Sequence, residues 1–383
     1  MRILFWGTPA YAVPSLEALA QAGHDIVGVV SQPDRRRGRG RQLMPSPVKA
    51  RAIELGLPVF TPERIRREPD LQAQLAALKP DLSAVVAFGQ ILPPEVLAVP
   101  PLGCWNGHGS LLPRWRGAAP IQWALIEGDA RTGVGIMAME AGLDTGPVLL
   151  ERSLDIGLLE NASALGERLA QLTAILLVEA LPAIEAAGSG PESERLSRLG
   201  VHIQSEEGMT YARQLTREDF QLDWTLGALT LHRRVMGLYP GAYTSWRGRR
   251  LQILATEPLV SRLVDHLSPD ASRLAARWGR ASAPPGDHQG GAAQQEATSL
   301  DADRAWLSNA KPGADPVPGT VLAIEPSVGL VVATGGCPLL LRQARLEGKG
   351  TVAGSALIQQ WGGRIGDRLG EDPDAAADAA SPP

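Results

Sequence analysis

Between Arg2 and Ile184 short apolar runs take turns with amphipathic stretches, and this alternation limits the fold more than any other feature of the chain. "RILFWG" (Arg2–Gly7), "DIVGVVSQ" (Asp25–Gln32) and "DLSAVVAFG" (Asp81–Gly89) read as strands; the last is apolar throughout, as strands covered on both faces are. "GCWNGHGS" reads as a strand edge and "TGVGIMAME" as a further strand. Between them, "VPSLEALAQAG", "PVKARAIELG", "PIQWALIEG" and the long "SALGERLAQLTAILLVEALPAI" carry helical spacing. Strands alternating with helices predict an α/β fold: a Rossmann-like, mostly parallel sheet with helices on both faces.

Near residue 188 the composition turns to Gly, Ser, Pro and charge, so residues 1–188 are expected to form one domain and 189–209 a linker. Beyond it, after a helix near Leu226–Leu238, come "AYTSW", "RLQILATEP", "GTVLAIE", "GLVVATGG" and "PLLLRQARLEG". Strands separated by turn signals predict a small OB-like β-barrel over residues 210–365. An aperiodic stretch, 261–318, reads as a surface insertion, and the acidic residues 366–383 as a disordered tail.

At 44% hydrophobic residues the chain has the composition of a soluble globular protein, and no uninterrupted apolar run reaches membrane-spanning length. Met1 leads directly into the first strand, and the two cysteines, Cys104 and Cys337, lie far apart, so a cytoplasmic protein with reduced thiols and no membrane contact is expected; separately, a monomer is expected. The net charge is −4, but it is unevenly spread. Between Ser31 and Arg51 seven bases (Arg35, Arg36, Arg37, Arg39, Arg41, Lys49 and Arg51) face one acid, Asp34, which makes a local phosphate-binding surface possible in an acidic chain. A solvated charged loop would read the same way.

Chemistry concentrates in "CWNGHGSLLPRWRGAAP" (Cys104–Pro120) and "GLDTGPVL" (Gly142–Leu149). On an extended segment Asn106 and His108 share a face, while Gly107 and Gly109 leave the backbone open to close approach. Ligands of parallel sheets bind beyond the carboxyl ends of strands, where these residues fall. Asp144, after a neighbouring strand, could fix the imidazole's tautomer and let it shuttle a proton, and Asn106 could donate to a developing oxyanion. Carboxamide, imidazole and carboxylate suit attack on a carbonyl by a substrate nucleophile, with no covalent enzyme intermediate. Glycine-flanked Asn, His and Asp are also ordinary turn residues. A Cys104–His108 thiol pair is a weaker reading, six histidines and two cysteines show no metal-ligand spacing, and "GTPAYA" lacks the G-x-G-x-x-G spacing of a dinucleotide turn.

"NGHGSLLPRWRGAAPIQWAL" with "GLDTGPVL" resembles the folate-dependent formyltransferases. "ILFWGTPAYAVPSL", "QPDRRRGRGRQLMPSPVK", "LPVFTPE", "YARQLTREDFQLDW" and "YPGAYTSW" narrow the resemblance to the members that formylate methionyl-tRNA. The resemblance implies formyl transfer from 10-formyltetrahydrofolate to the α-amino group of methionine on initiator tRNA, without a metal. It implies that Asn106, His108 and Asp144 are catalytic, and that Ser110, Leu111, Leu112 and Pro113 contact folate, with Phe88, Gly89 and Ile91 bordering the pterin pocket. It also assigns tRNA contact to the loop bearing Arg35, Arg36, Arg37, Arg39, Arg41 and Lys49, and to the C-terminal barrel. The family pattern usually has Val where this chain has Gly107. A formyltransferase for sugar amines, or a formyltetrahydrofolate hydrolase, would use the same three residues; a non-catalytic RNA-binding protein would not need them.

Overall fold

The apolar runs of the first half become one sheet. Its strands are β1 (Arg2–Gly7), β2 (Asp25–Val30), β5 (Val59–Phe60), β6 (Leu82–Val86), β7 (Cys104–His108), β9 (Arg131–Ala138) and β10 (Val148–Asp155), in the order β10-β9-β7-β6-β1-β2-β5. From β5 to β7 all neighbours are parallel, and β9 and β10 then add antiparallel strands at the other side. The computed structural model describes residues 1–37, 42–279 and 316–371. They divide into two units: Met1–Trp123, Ala130–Ile156 and Ser163–Gln214 in one; Ala124–Asp129, Gly157–Ala162 and everything described from Leu215 onward in the other.

In the first unit β1, β2, β6 and β7 are buried along nearly their whole length, which is why they lack alternation. Leu4, Trp6, Val30, Ile65, Leu75, Val85 and Phe88 form a core cluster, with the Trp6 and Phe88 rings edge to face at 5.2 Å. Helices α1 (Val13–Gln21), α2 (Pro47–Glu54), α3 (Pro69–Ala77), α4 (Pro94–Leu97) and α5 (Pro120–Glu127) fall between the strands. Pro near the first turn starts four of them well, and at α2 the Ser46 hydroxyl accepts the Lys49 N–H as an N-cap. Helix α6 (Ala162–Ala187) is long and apolar enough to cross a membrane by length and composition, although polar residues punctuate it. Leu165, Leu169, Leu176, Leu177 and Leu181 of this helix are buried inside the protein.

Within residues 189–209, expected as a linker, the chain forms α7 (Glu192–Leu199), closed by Gly200 in the left-handed region. It then pairs His202 with Val148 and continues into β11 (Tyr211–Ala212), parallel to β8 (Arg116–Gly117). The basic loop after β2 is a hairpin, β3 (Arg35–Arg37) with β4 (Gln42–Met44).

The second unit opens with α8 (Ala228–Gly237), followed by β12 (Tyr243–Trp246), β13 (Arg249–Pro258), α9 (Pro269–Trp278), β14 (Val321–Glu325), β15 (Gly329–Val332), β16 (Leu339–Leu346), β17 (Val352–Ala353) and α10 (Gly354–Trp361). These strands form an antiparallel sheet, β12-β13-β16-β15-β14, with β17 beside β16. Bulges in β13 bend the sheet, but β12 and β14 do not pair with each other. Residues 366–371 span the gap. Gly366 N–H donates to the Val321 carbonyl, Val321 N–H to Asp367, Leu369 N–H to Gly319, and Gly370 N–H to Ser245 of β12. These residues were expected in a disordered tail; Leu369, 2% exposed, is what anchors them. Of the expected insertion, Ser261–Gly279 is ordered, and Ala271 and Ala275 of α9 join a core cluster with Leu259, Val331 and Leu340. The remainder of that insertion up to residue 315, and the tail beyond residue 371, lie outside the described residues.

Candidate active site

Asn106 and His108 are on β7, in register with Met137 and Gly135 of β9, and only 9% and 6% exposed. Period-two alternation turns both side chains to one face. Gly107 faces the other way: a Cβ there would meet the Thr173 methyl of α6 at 2.4 Å. The open backbone expected at Gly107 is therefore filled by a helix rather than offered to a substrate, and at Gly109 the nearest atom to a Cβ is the Tyr11 hydroxyl. Tyr11 Oη lies 2.8 Å from Thr173 Oγ1, whose own proton goes to the Leu169 carbonyl, so the tyrosine donates. Burial pushes the Tyr11 phenol up to about 12.

Asp144 comes from the turn between β9 and β10. Gly146 lets this turn fold back tightly, since a Cβ there would lie 1.8 Å from the Ala138 carbonyl oxygen. Asp144 itself sits at φ 52°, in the left-handed region. Its Oδ2 accepts the Gly117 N–H at 2.8 Å and lies 3.7 Å from His108 Nδ1, while its Oδ1 lies 3.5 Å from Asn106 Nδ2. The sequence-predicted triplet thus converges. His108 Nε2 is 2.9 Å from the Trp115 carbonyl, an acceptor only, so Nε2 carries a proton and Nδ1 is the nitrogen left to exchange one. Cys104 is no nucleophile: its sulfur lies against the Leu97 carbonyl, and burial pushes the thiol up to about 12.

The other expected site residues flank this centre to different degrees. Ser110 is fully buried, and its hydroxyl donates to the Arg114 carbonyl at 2.6 Å, while Leu112 packs with Met137 and Val148. Leu111 and Pro113 are half-buried. Phe88 is a core side chain, Gly89 turns the chain at φ 83°, and Ile91 is 67% exposed. These segments follow β6 and β7, adjacent parallel strands, so both leave the sheet at the same edge. Gln32, just after β2, joins the basic hairpin to them: its Nε2 donates to the Phe88 and Gly89 carbonyls, and its Oε1 accepts from Arg35. Lys49 sits on α2 and is paired with Asp34 at 2.7 Å, and Arg36 is on β3; Arg39, Arg41 and the side chain of Arg37 lie outside the described residues.

A model of the formyl transferase family matches residues 1–181, and a model of the formyl transferase C-terminal domain matches 214–272 and 291–361. A methionyl-tRNA formyltransferase from Synechococcus sp. (strain RCC307) is 64% identical over 94% of this chain and 99% of its own. The chain belongs to the methionyl-tRNA formyltransferase family. A second relative of that name, from Synechococcus sp. (strain WH7803), is 62% identical over 97% of this chain and 98% of its own. Among solved structures, an N-formyltransferase from Helicobacter canadensis, crystallised with folinic acid and dTDP-3-aminofucose, shares the fold: TM-score 0.55 at 14% identity, over 89% of this chain and 98% of that one.

Several residues around the centre of this formyltransferase had no signal in the sequence. The Trp115 carbonyl and Gly117 N–H are backbone groups, invisible to any reading of side-chain types. Gln204 sits in an aperiodic polar stretch and yet is buried, its amide donating to the Asp144 carbonyl at 2.9 Å and the Gly146 carbonyl at 2.7 Å. Arg116, one of two bases in "RWRG", is 5% exposed and points inward, its Nε donating to Gln204 Oε1 at 2.9 Å.

Proposed function

We propose that this chain transfers the formyl group of 10-formyltetrahydrofolate to the α-amino group of methionine on initiator methionyl-tRNA, in the cytoplasm and as a monomer. The observation that carries the chemistry is the convergence of Asn106, His108 and Asp144 on one face of β7. The bound folate supplies a carbonyl carbon at the formyl level, and the attacking nitrogen belongs to the second substrate. Asn106 has two amide N–H groups; with one near Asp144, the other is available to the carbonyl oxygen as negative charge builds on it. His108 Nδ1 takes the proton that the attacking amine must lose and gives it to the folate nitrogen as that nitrogen's bond to the formyl carbon breaks and tetrahydrofolate leaves. The Trp115 carbonyl holds the neutral ring in the Nε2–H tautomer that makes this possible, and Asp144, fixed by the Gly117 N–H, balances the ring's charge once Nδ1 has taken the proton.

The folate is assigned to the loops after β6 and β7. Ser110 and Phe88 contribute there through backbone, their side chains being committed inside, and Ile91 and Leu111 offer apolar contact to a pterin. The arginine hairpin after β2, tied to the same edge by Gln32, is assigned to phosphates of the tRNA acceptor arm, and the arginines of the C-terminal sheet to its outer backbone. Sugar amines and water are the competing acceptors. With purified protein and 10-formyltetrahydrofolate, formyl incorporation into charged initiator tRNA is measured beside a dTDP-amino sugar and beside formate release. Equal or faster turnover of either competitor overturns the proposal.

A further inference from the structure

Both groups that hold His108 belong to residues in the left-handed region: Asp144 at φ 52° and Trp115 at φ 63°. Non-glycine residues persist there when surrounding bonds leave the backbone no alternative. Here those bonds come from one stretch of chain, residues 202–212, which follows the last helix of the first unit. Thr210 takes the Trp115 N–H on its hydroxyl at 2.9 Å and the Arg116 N–H on its carbonyl at 3.0 Å. Gln204 takes the Asp144 and Gly146 carbonyls, while Arg116 Nε on its Oε1 fixes which end of the amide faces the turn. Met209 Sδ lies 3.1 Å from Arg116 Nη1 and helps to hold that guanidinium in place.

From this we infer that Gln204 is a positioning residue for catalysis: through two N–H donors it fixes the turn that aims the Asp144 carboxylate at His108 and Asn106, and Arg116 keeps its amide oriented. The inference rests on the assignment of Asp144 to the reaction. One strong bond, from the Gly117 N–H at 2.8 Å, holds the carboxylate itself, and its contacts to Asn106 and His108 are long, at 3.5 and 3.7 Å, so a turn released by even about an ångström loses a geometry worth one to two orders of magnitude.

The test is single-turnover formylation of charged initiator tRNA by full-length protein carrying Gln204→Leu, Gln204→Glu, Asp144→Asn, or each Gln204 change together with Asp144→Asn. Gln204→Glu keeps the size and the partner for Arg116 but removes both N–H donors, so it separates aim from packing should the leucine variant fail to fold. The expected result is a loss of about tenfold for either Gln204 variant, with KM for folate unchanged. In the Asp144→Asn background the same changes cost nothing more, because the group being aimed is gone. Loss by the same factor in both backgrounds makes Gln204 a structural residue and overturns the inference, as does a wild-type rate for Gln204→Glu. If Asp144→Asn alone turns over normally, the assignment of Asp144 has failed instead.

Discussion

Two buried histidines, one in each unit, differ in a single partner. His232 of α8 is fully enclosed: Nε2 meets the Leu158 carbonyl at 2.8 Å and Nδ1 meets the Thr256 hydroxyl at 3.0 Å. Both nitrogens are satisfied by uncharged groups, and burial pushes the ring down to about 4, so it stays neutral at ordinary pH. His108 also gives one nitrogen to a backbone carbonyl, at 2.9 Å. Its other nitrogen, Nδ1, carries no proton in that tautomer and faces a carboxylate at 3.7 Å, beyond hydrogen-bond distance. Burial therefore separates nothing here. A closed set of neutral partners makes His232 part of the scaffold; the carboxylate beside Nδ1 is what fits His108 to the proton-carrying role proposed for it.

Exchanging the rings for a methyl group should separate the two most. His108→Ala, and Asn106→Ala beside it, should lower single-turnover formylation by about 10²–10³ with little change in melting temperature. A loss below tenfold in both would place His108 with the scaffold. The contrast sharpens at the carboxylate: Asp144→Asn should slow transfer about 10²-fold while folate still binds by titration.

His232→Ala should do the opposite, costing roughly 2–3 kcal/mol of stability in urea through the cavity and the unpaired Leu158 carbonyl. Its turnover below the transition should stay within about threefold of wild type. The smallest effect is one of pH. A folded-state value near 4 against an ordinary 6.5 means that the unfolded chain takes up a proton first, so this contribution is complete above pH 6.5 and shrinks as pH falls toward 4. By pH 5 about 2 kcal/mol should be gone. A His232→Gln variant should lack that part of the slope; an unchanged slope would mean that other groups carry it.

What the sequence disclosed follows from physical range. Strand–helix alternation is a local signal, and the parallel sheet was legible from it. Asn106 and His108 were legible because alternation on one strand puts them on one face, and Asp144 because glycines marked its turn. The bonds that aim them were not. Gln204 and Asp144 are sixty positions apart, Thr210 and Trp115 ninety-five, and no periodicity relates such pairs. Gly107 misled for the same reason: a missing side chain reads as open space until the Thr173 methyl is found in it. Ser261–Gly279 resembled an insertion because α9 buries alanines, which carry little hydrophobic contrast.

The segment that bridges β12 and β14 bears on how the protein keeps from clumping. An edge strand with a free row of N–H and C=O groups is a template for any other strand it meets, and proteins ordinarily blunt such edges with charge or cover. Here Gly366–Glu371 is the cover, and it carries Asp367, Arg368 and Glu371 as it crosses. A chain ending at Glu371 keeps β12 and β14 sheathed. One ending at Ile365 leaves Tyr243 of β12 bridged to Gln221 but frees the Ser245 carbonyl and the Gly319–Val321 groups at the start of β14, and these could then pair with a strand of another molecule and make the sheet a link in a growing aggregate.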